Sequence, residues 1–179
     1  MIAAGRTTRG FTLIELILVM LIIGLMLTIV VPSMGGLLKA QRLDQGARTI
    51  AGMLKEARVR AAADAKAYRL VIETEGSTCW LEAQTPQGFE RPESSYGKII
   101  ELGDDLMFEL EGGEELGTRL MVRVEPDGMA ELAQVTITRK QDGKQLAVSC
   151  RTPTEPFIIG QPVSLQELEE GADDVDLDD

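Results

Sequence analysis

The sequence has no histidine, only two cysteines and few aromatic residues, which make up 4% of its 179 residues. Histidine is the commonest general base near neutral pH and the commonest metal ligand, so its absence removes the simplest catalytic and metal-binding sites. We find no serine or cysteine nucleophile with a candidate base, and no glycine-rich loop has the pattern that cradles phosphate. We therefore expect no enzyme, no metal site and no cofactor.

Positive charge is scarce in the later part of the chain. Residues 70–179 hold eight Lys and Arg against 25 acidic residues, and residues 161–179 hold no Lys or Arg at all. Residues 39–69, in contrast, hold eight basic residues against three acidic ones. A nucleic-acid-binding surface needs clustered Lys and Arg to displace counterions from the phosphates. We therefore expect no nucleic-acid partner.

One long hydrophobic run lies near the N-terminus. It covers residues 11–31 with Glu15 as its only charge, and as a helix it would be about 31 Å long, enough to span a bilayer. A cleaved secretory signal is the alternative, because Val31, Pro32 and Ser33 resemble a cleavage site, although such signals have a shorter apolar region. An ionised carboxylate is costly in hydrocarbon, so Glu15 needs a specific partner.

A second helical pattern follows the hydrophobic run. Its apolar residues recur at alternating steps of four and three, which places them in one stripe along a helix: Leu43, Ala47, Ile50, Leu54, Ala57 and Ala61. We expect this helix to continue the first one and to end near Ala67. Pro32 lacks the N–H of a helical hydrogen bond and Gly24 has low helix propensity, so together they predict a kink in this region. Alternatively, Pro32 begins a new helix.

The segment from Arg9 to Leu16, which reads RGFTLIEL, resembles the leader and N-terminal helix of type IV pilins and pseudopilins. The resemblance implies that a prepilin peptidase cleaves after Gly10 and methylates the new terminus, Phe11. It also implies that Glu15 meets the terminal amine of a neighbouring subunit during assembly. A carboxylate that stays protonated or reaches the membrane surface is the alternative for Glu15. The implied location is the inner membrane, with the leader in the cytoplasm and the head in the periplasm.

The remainder of the chain has the pattern of antiparallel β-structure. Residues 68–74 and 78–83 flank a short turn and predict a hairpin. Alternating apolar residues predict further strands at residues 120–124, 135–137, 146–150 and 157–159. The expected fold class is α+β, in which a long N-terminal helix packs on a small antiparallel sheet or sandwich, as in pilin-like proteins.

These patterns divide the chain into five predicted segments. They are a cleaved leader (1–10), a transmembrane and assembly helix (11–31), a helical stem (32–67), a periplasmic β head (68–160) and an acidic, disordered tail (161–179). The acidic run at residues 173–179 could be read as a calcium loop. It contains no glycine turn, so we interpret it as part of a solvated tail.

In the predicted strands, Cys79 and Cys150 lie on the same face as the core residues, so we expect both to be buried. In an oxidising periplasm they could form a disulfide, and two buried free thiols are the alternative. The segment of residues 85–97 has no periodicity. It is either a partner surface or an ordinary mobile loop.

Among pilin-like proteins, the chain is most similar to the GspH/FimT class of minor pseudopilins. The similarity rests on the stem sequence from Leu54 to Ala61 and on the Pro-Asp-Gly turn at residues 126–128. It implies a minor pseudopilin of a type II secretion system, assembled near the tip of a short periplasmic pseudopilus that drives protein secretion. The implied partners are the major pseudopilin, other minor pseudopilins, the prepilin peptidase, the inner-membrane assembly platform and the lipid bilayer.

Two other functions remain open at this point. One is a minor pilin of a type IV pilus or of a DNA-uptake system, for which a basic patch on the head would be expected. The other is a membrane-anchored regulator or enzyme that never assembles, for which Glu15 would be dispensable.

The leader resemblance predicts the chemistry of the mature N-terminus. Mass spectrometry of the protein from its native membrane should find a chain that begins at Phe11 and carries a methyl group on the terminal nitrogen. An intact Met1, or a start near Met34 after signal cleavage, would contradict the pilin-like interpretation.

Overall fold

The computed structural model describes residues 11–164, 166 and 167, and the side chains of residues 27–40 lie outside the description. The predicted cleavage residue Gly10 and the last part of the predicted tail, residues 168–179, therefore also lie outside the described residues. The chain divides into two compact units, Met1–Ala40 and Gln41–Asp179. Over the residues that are described, no helix is long and apolar enough to span a membrane.

Helix α1 comprises the 52 residues Leu13–Asp64 and is not interrupted. It passes through Gly24 and Pro32, so Pro32 does not begin a new helix, while the kink expected at these residues stays a prediction. The predicted apolar stripe of the stem is confirmed, since each of its residues from Leu43 to Ala61 is at most 6% exposed.

The C-terminal end of α1 lies three residues before the predicted end at Ala67. Ala65 adopts a left-handed φ of 49°, which cannot continue a right-handed helix. The amide of Lys66 donates to the carbonyl of Ala61 over 3.3 Å and satisfies one of the last helical carbonyls. This reversal leads directly into the first strand.

Strands and one short 3-10 helix form the rest of the described head. In chain order they are β1 Tyr68–Glu73, β2 Thr78–Thr85, β3 Gly88–Glu90, the 3-10 helix Ser95–Gly97, β4 Ile100–Glu101, β5 Leu106–Gly112, β6 Glu114–Leu116, β7 Arg119–Val124, β8 Ala133–Arg139, β9 Gln145–Ser149 and β10 Ile158–Gly160. They make two antiparallel sheets. The first has the order β3-β2-β1-β7-β6, with β4 also paired to β2, and the second has the order β10-β9-β8-β5.

The α+β fold class is confirmed, and so are most of the predicted strands. The first hairpin pairs Tyr68 with Ala83 and Glu73 with Thr78. Strand β5 was not predicted, although Leu106, Phe108 and Leu110 alternate with more exposed residues. This alternation covers only three apolar residues, and it is too short to define a strand without the partner β8, which is distant in sequence.

One hydrophobic core joins the stem half of α1 to both sheets. Small helix residues allow the second sheet to come close: a Cβ added to Gly46 would lie 3.0 Å from Cδ1 of Leu106. Ala47, Ala57 and Ala61 are completely buried in the same stripe. The alanine-rich stripe is therefore a packing surface, where larger side chains would push the helix away from the sheets.

The segment of residues 85–97 is not an unstructured loop. It contains β3, which pairs with β2, and the 3-10 helix at Ser95–Gly97. The guanidinium of Arg60 lies 3.7 Å from the ring centroid of Tyr96, and the rings of Tyr68 and Tyr96 are 6.3 Å apart. Tyr96 therefore packs against the helix, while the partner-surface and mobile-loop interpretations of this segment stay predictions.

The first residues of the predicted tail are hydrogen-bonded to the second sheet. The buried side-chain amide of Gln134 donates to the carbonyl of Val163 over 2.7 Å and accepts from its amide over 3.1 Å. Ser164 and Glu167 then form reciprocal capping bonds of 3.1 and 3.3 Å. Val163 thus supplies the hydrogen-bond partners that the buried glutamine needs, while the disorder predicted for the tail stays a prediction.

Arg58 of α1 fixes the loop that precedes β10. Its Nη2 donates to the carbonyl of Pro153 over 2.9 Å, and its Nη1 donates to the carbonyls of Thr154 and Glu155. The guanidinium also lies 4.9 Å from the centroid of the Phe157 ring. The guanidinium of Arg58 therefore connects the stem helix to the segment before β10 through hydrogen bonds to main-chain carbonyls.

Replacing Arg58 by methionine should destabilise the head, because the aliphatic stem is kept while the bonds to the carbonyls are lost. We expect a decrease of about 2 kcal/mol in the free energy of unfolding. Denaturant titration of the full chain in detergent, followed by the fluorescence of Trp80, would measure it. Arg48→Met is the matched control: its pair with Asp44 is solvent-exposed and should contribute less than about 0.5 kcal/mol. Equal effects of the two substitutions would contradict the prediction.

Candidate assembly site at the start of helix α1

Thr12 caps the N-terminus of α1. Its Oγ1 accepts a hydrogen bond from the amide of Glu15 over 3.3 Å, and its carbonyl accepts the first helical bond, from Leu16, over 3.2 Å. Thr12 and Glu15 therefore occupy the first and fourth positions of a capping-box sequence, Thr-x-x-Glu. Thr12 was not among the predicted site residues, although this spacing is a sequence signal for a helix start.

Glu15 lies in the first turn of α1, close to the positive end of the helix dipole, which favours a negative charge. It is the only ionisable side chain of residues 11–26. Within the described residues its carboxylate takes part in no ion pair. The subunit therefore presents one negative charge that is not neutralised by its own described side chains.

Apolar side chains surround this carboxylate. Phe11 and the large apolar residues from Leu13 to Met26 are between 43% and 81% exposed. They cover every face of the helix and are not confined to one stripe. A helix that is apolar on all faces is stable when hydrocarbon or other protein covers it, because contact of such a large apolar surface with water is unfavourable.

The other predicted site residues differ in what the structure describes of them. Phe11 is described and lies just before the helix, next to the capping residue. Gly24 lies inside the helix, and a Cβ placed there would meet no atom within 4 Å. The side chain of Pro32 and all of Gly10 lie outside the description. Processing at Gly10 and Phe11 and the charge pairing of Glu15 therefore stay predictions.

Cys79 and Cys150 are both buried and both free, so the structure has the free-thiol alternative and not the disulfide. Cys79 lies in β2 of the first sheet, where its Sγ is 3.3 Å from Sδ of Met53. Cys150 directly follows β9 of the second sheet. Burial raises the pKa of Cys79 to about 12 and also raises the pKa of Cys150, against the opposing effect of the Arg58 charge.

The described residues contain no group of three or more His, Cys, Asp or Glu side chains that could hold a metal ion. The acidic run at residues 173–179 lies outside them. What the described site offers chemically is therefore a capped helix start, one carboxylate and a large apolar surface.

Comparison with known proteins finds one family match and several structural matches. The description of the matching family is "prokaryotic N-terminal methylation motif", and the match covers residues 5–31. No curated protein matches the chain in sequence. The sequence match is therefore confined to the segment that contains Gly10, Phe11 and Glu15.

The structural matches concern the fold. Two structures of the minor pseudopilin EpsH from the type II secretion system of Vibrio cholerae are similar to this chain, with TM-scores of 0.55 and 0.56. Each is 14% identical and matches 69% of this chain, and the match covers 99% and 96% of the EpsH chains. The type IV minor pilin FimU of Pseudomonas aeruginosa is a weaker match, with a TM-score of 0.49, 11% identity and coverage of 69% and 90%.

The reactivity of the thiols can be predicted from their burial and pKa. Because the pKa of Cys79 is far above 8 and both sulfurs are buried, Ellman's reagent at pH 8 should detect almost no thiol in the folded protein. After denaturation without a reductant, it should detect two per chain. A chain bridged between Cys79 and Cys150 would instead give none in either state.

Proposed function

We propose that this type IV pilin-like protein is a minor pseudopilin of a type II secretion system, processed by prepilin peptidase and assembled near the tip of a periplasmic pseudopilus. The observation that carries the proposal is the single carboxylate of Glu15 in the first turn of an exposed apolar helix. It lies within the N-terminal methylation motif. Charge, helix and processing signal belong to one short segment.

Processing creates the partner that Glu15 lacks. Cleavage after Gly10 frees a primary amine on Phe11, and methylation converts it to a secondary amine. Both forms are positively charged near neutral pH. In hydrocarbon each of the two charges is costly alone, and their mutual attraction is strong because the dielectric constant is low. Pairing between the amine of one subunit and Glu15 of the next lowers both costs. The pair therefore favours subunits in the correct stagger and does not stabilise the isolated subunit.

The apolar surface of residues 11–26 supports the same proposal. In the inner membrane, lipid covers these side chains, and in the filament the helices of neighbouring subunits cover them. Both environments are free of water, so the helix can move from one to the other without exposing its apolar residues. The implied partners are the major pseudopilin, other minor pseudopilins and the assembly platform in the inner membrane, with the head in the periplasm.

Two observations favour secretion over DNA uptake. The similarity to EpsH covers nearly all of the EpsH chains, which belong to a type II secretion system. The head and tail together are also strongly acidic: residues 70–179 hold 25 acidic residues against eight basic ones. Such a surface repels phosphate backbones. Catalysis is not part of the proposal, since pilin-like folds serve in assembly.

Glu15→Leu tests the proposal. The variant should remain in the membrane, because the helix becomes more apolar, and its incorporation into the pseudopilus and protein secretion should fall to the level of a strain without the protein. Crosslinking to the major pseudopilin and assay of secreted protein would measure the two losses. Glu114→Gln, which removes an exposed acid of the head, is the control and should assemble normally. Normal secretion by Glu15→Leu would contradict the proposal.

A further inference from the structure

We propose that residues 165–172, the segment that follows Ser164, cover the outer face of the second sheet. This name is used for the sheet face turned away from α1. The centre of the outer face is formed by small or uncharged side chains of β8 and β9: Gln134, Thr136, Thr138, Ala147 and Ser149. The inference does not depend on the proposed function, because it concerns a contact within one chain. The methylation motif ends at residue 31 and assigns nothing to this segment.

Alternation along the strands separates the outer face from the core. Val135 and Val148, which are opposed in the register of β8 and β9, belong to the core that contains the stem helix. Successive side chains of a strand point to opposite sides of the sheet. The next opposed pair, Thr136 and Ala147, therefore points away from α1.

The centre of the outer face is nevertheless buried. Thr136 is 6% exposed and Ala147 is 1% exposed. In contrast, Glu109, which lies opposite Thr136 on the edge strand β5, is exposed. Solvent would reach a methyl side chain in the middle of an uncovered sheet face. Chain from outside the sheet therefore lies over the centre of this face.

Gln134 identifies the part of the chain at which this cover begins. Its side-chain amide donates to the carbonyl of Val163 over 2.7 Å and accepts from the amide of Val163 over 3.1 Å. Thr136 lies two residues further along the same face of β8, a distance of about 7 Å. The chain that follows Val163 therefore starts beside the buried centre and has to cross only a short distance to cover it.

The described residues after Val163 begin a helix. The side chains of Ser164 and Glu167 each accept from the amide of the other, over 3.3 and 3.1 Å, which is a capping box. Gln166 and Glu167 are helical. A helix that continues from here has one apolar stripe, with residues three or four positions apart: Leu165, Leu168 and Ala172. Such a stripe fits a sheet face of small side chains, which allows a helix to approach closely.

The cover changes what the second sheet presents to its surroundings. Glu167 and Glu170 fall on the side of the helix opposite the apolar stripe and face solvent. The second sheet thus presents carboxylates in place of its own uncharged side chains, and a neighbouring molecule meets the acidic side of this segment. Disorder of the tail is then limited to residues 173–179, which hold five acids among seven residues.

Thr136→Cys places a thiol in the centre of the outer face and measures whether it is covered. In the full chain, purified in detergent, the introduced thiol should react with Ellman's reagent at pH 8 as slowly as the two buried native thiols. A chain that ends at Ser164 should react about tenfold faster or more, the factor expected when a buried leucine no longer covers the site. In the full chain, Leu168→Ser should also increase the rate. Glu170→Ser, on the opposite side of the helix, should leave it unchanged.

Glu109→Cys is the control for position, because it is exposed on the edge strand of the same sheet and should react equally fast in both chains. Slow reaction of the two native thiols shows that the shortened chain is folded. If it does not fold, Leu168→Ser against Glu170→Ser gives the same comparison. Equal rates for Thr136→Cys in the full and shortened chains would overturn the inference. Fast reaction in the isolated full chain, with protection only after assembly, would also overturn it, since another subunit would then be the cover.

Discussion

The need to neutralise one carboxylate in an apolar environment is the constraint on which the N-terminal part of this protein depends. Glu15 is the single ionisable side chain of residues 11–26, and the subunit offers it no described ion-pair partner. Everything around it is apolar and exposed. Such a segment is poorly suited to an isolated soluble chain, but it is suited to a subunit that exchanges lipid for neighbouring helices. Under the proposed function, this charge is half of a contact that another molecule completes.

The stem and head are held together by a different set of interactions. The alanine-rich stripe of α1 lets two antiparallel sheets approach the helix closely, and the resulting core contains residues of all three elements. Arginines of the same helix then fix the loops beside it: Arg58 binds three carbonyls before β10, and Arg60 stacks on Tyr96. Several basic residues of the segment 39–69 thus stabilise the fold. Their side chains contact the head of their own chain and are not available to an external ligand.

Much of the fold could be predicted from local sequence patterns. The stripe from Leu43 to Ala61 follows from helical periodicity, and the first hairpin follows from two alternating runs around a turn. Strand β5 and the contact between Val163 and Gln134 could not be predicted in this way. Both depend on partners that are distant in sequence: β5 pairs along its whole length with β8, and Val163 bonds to Gln134. Tyr96 likewise has its position because Arg60 and Tyr68 surround it.

The sequence by itself was enough to find a methylation motif and one carboxylate five residues after Gly10, because these are local features that need no fold to be recognised. It also determined the fold class, since periodicity reports which face of each element is buried. The tertiary structure decided what becomes of groups whose partners come from elsewhere in the chain. It left Cys79 and Cys150 as free thiols in separate sheets, and it turned Gln134 into the anchor of the C-terminal segment. Spacing along a chain specifies neither result, because both depend on which buried polar and sulfur atoms the packed sheets bring together.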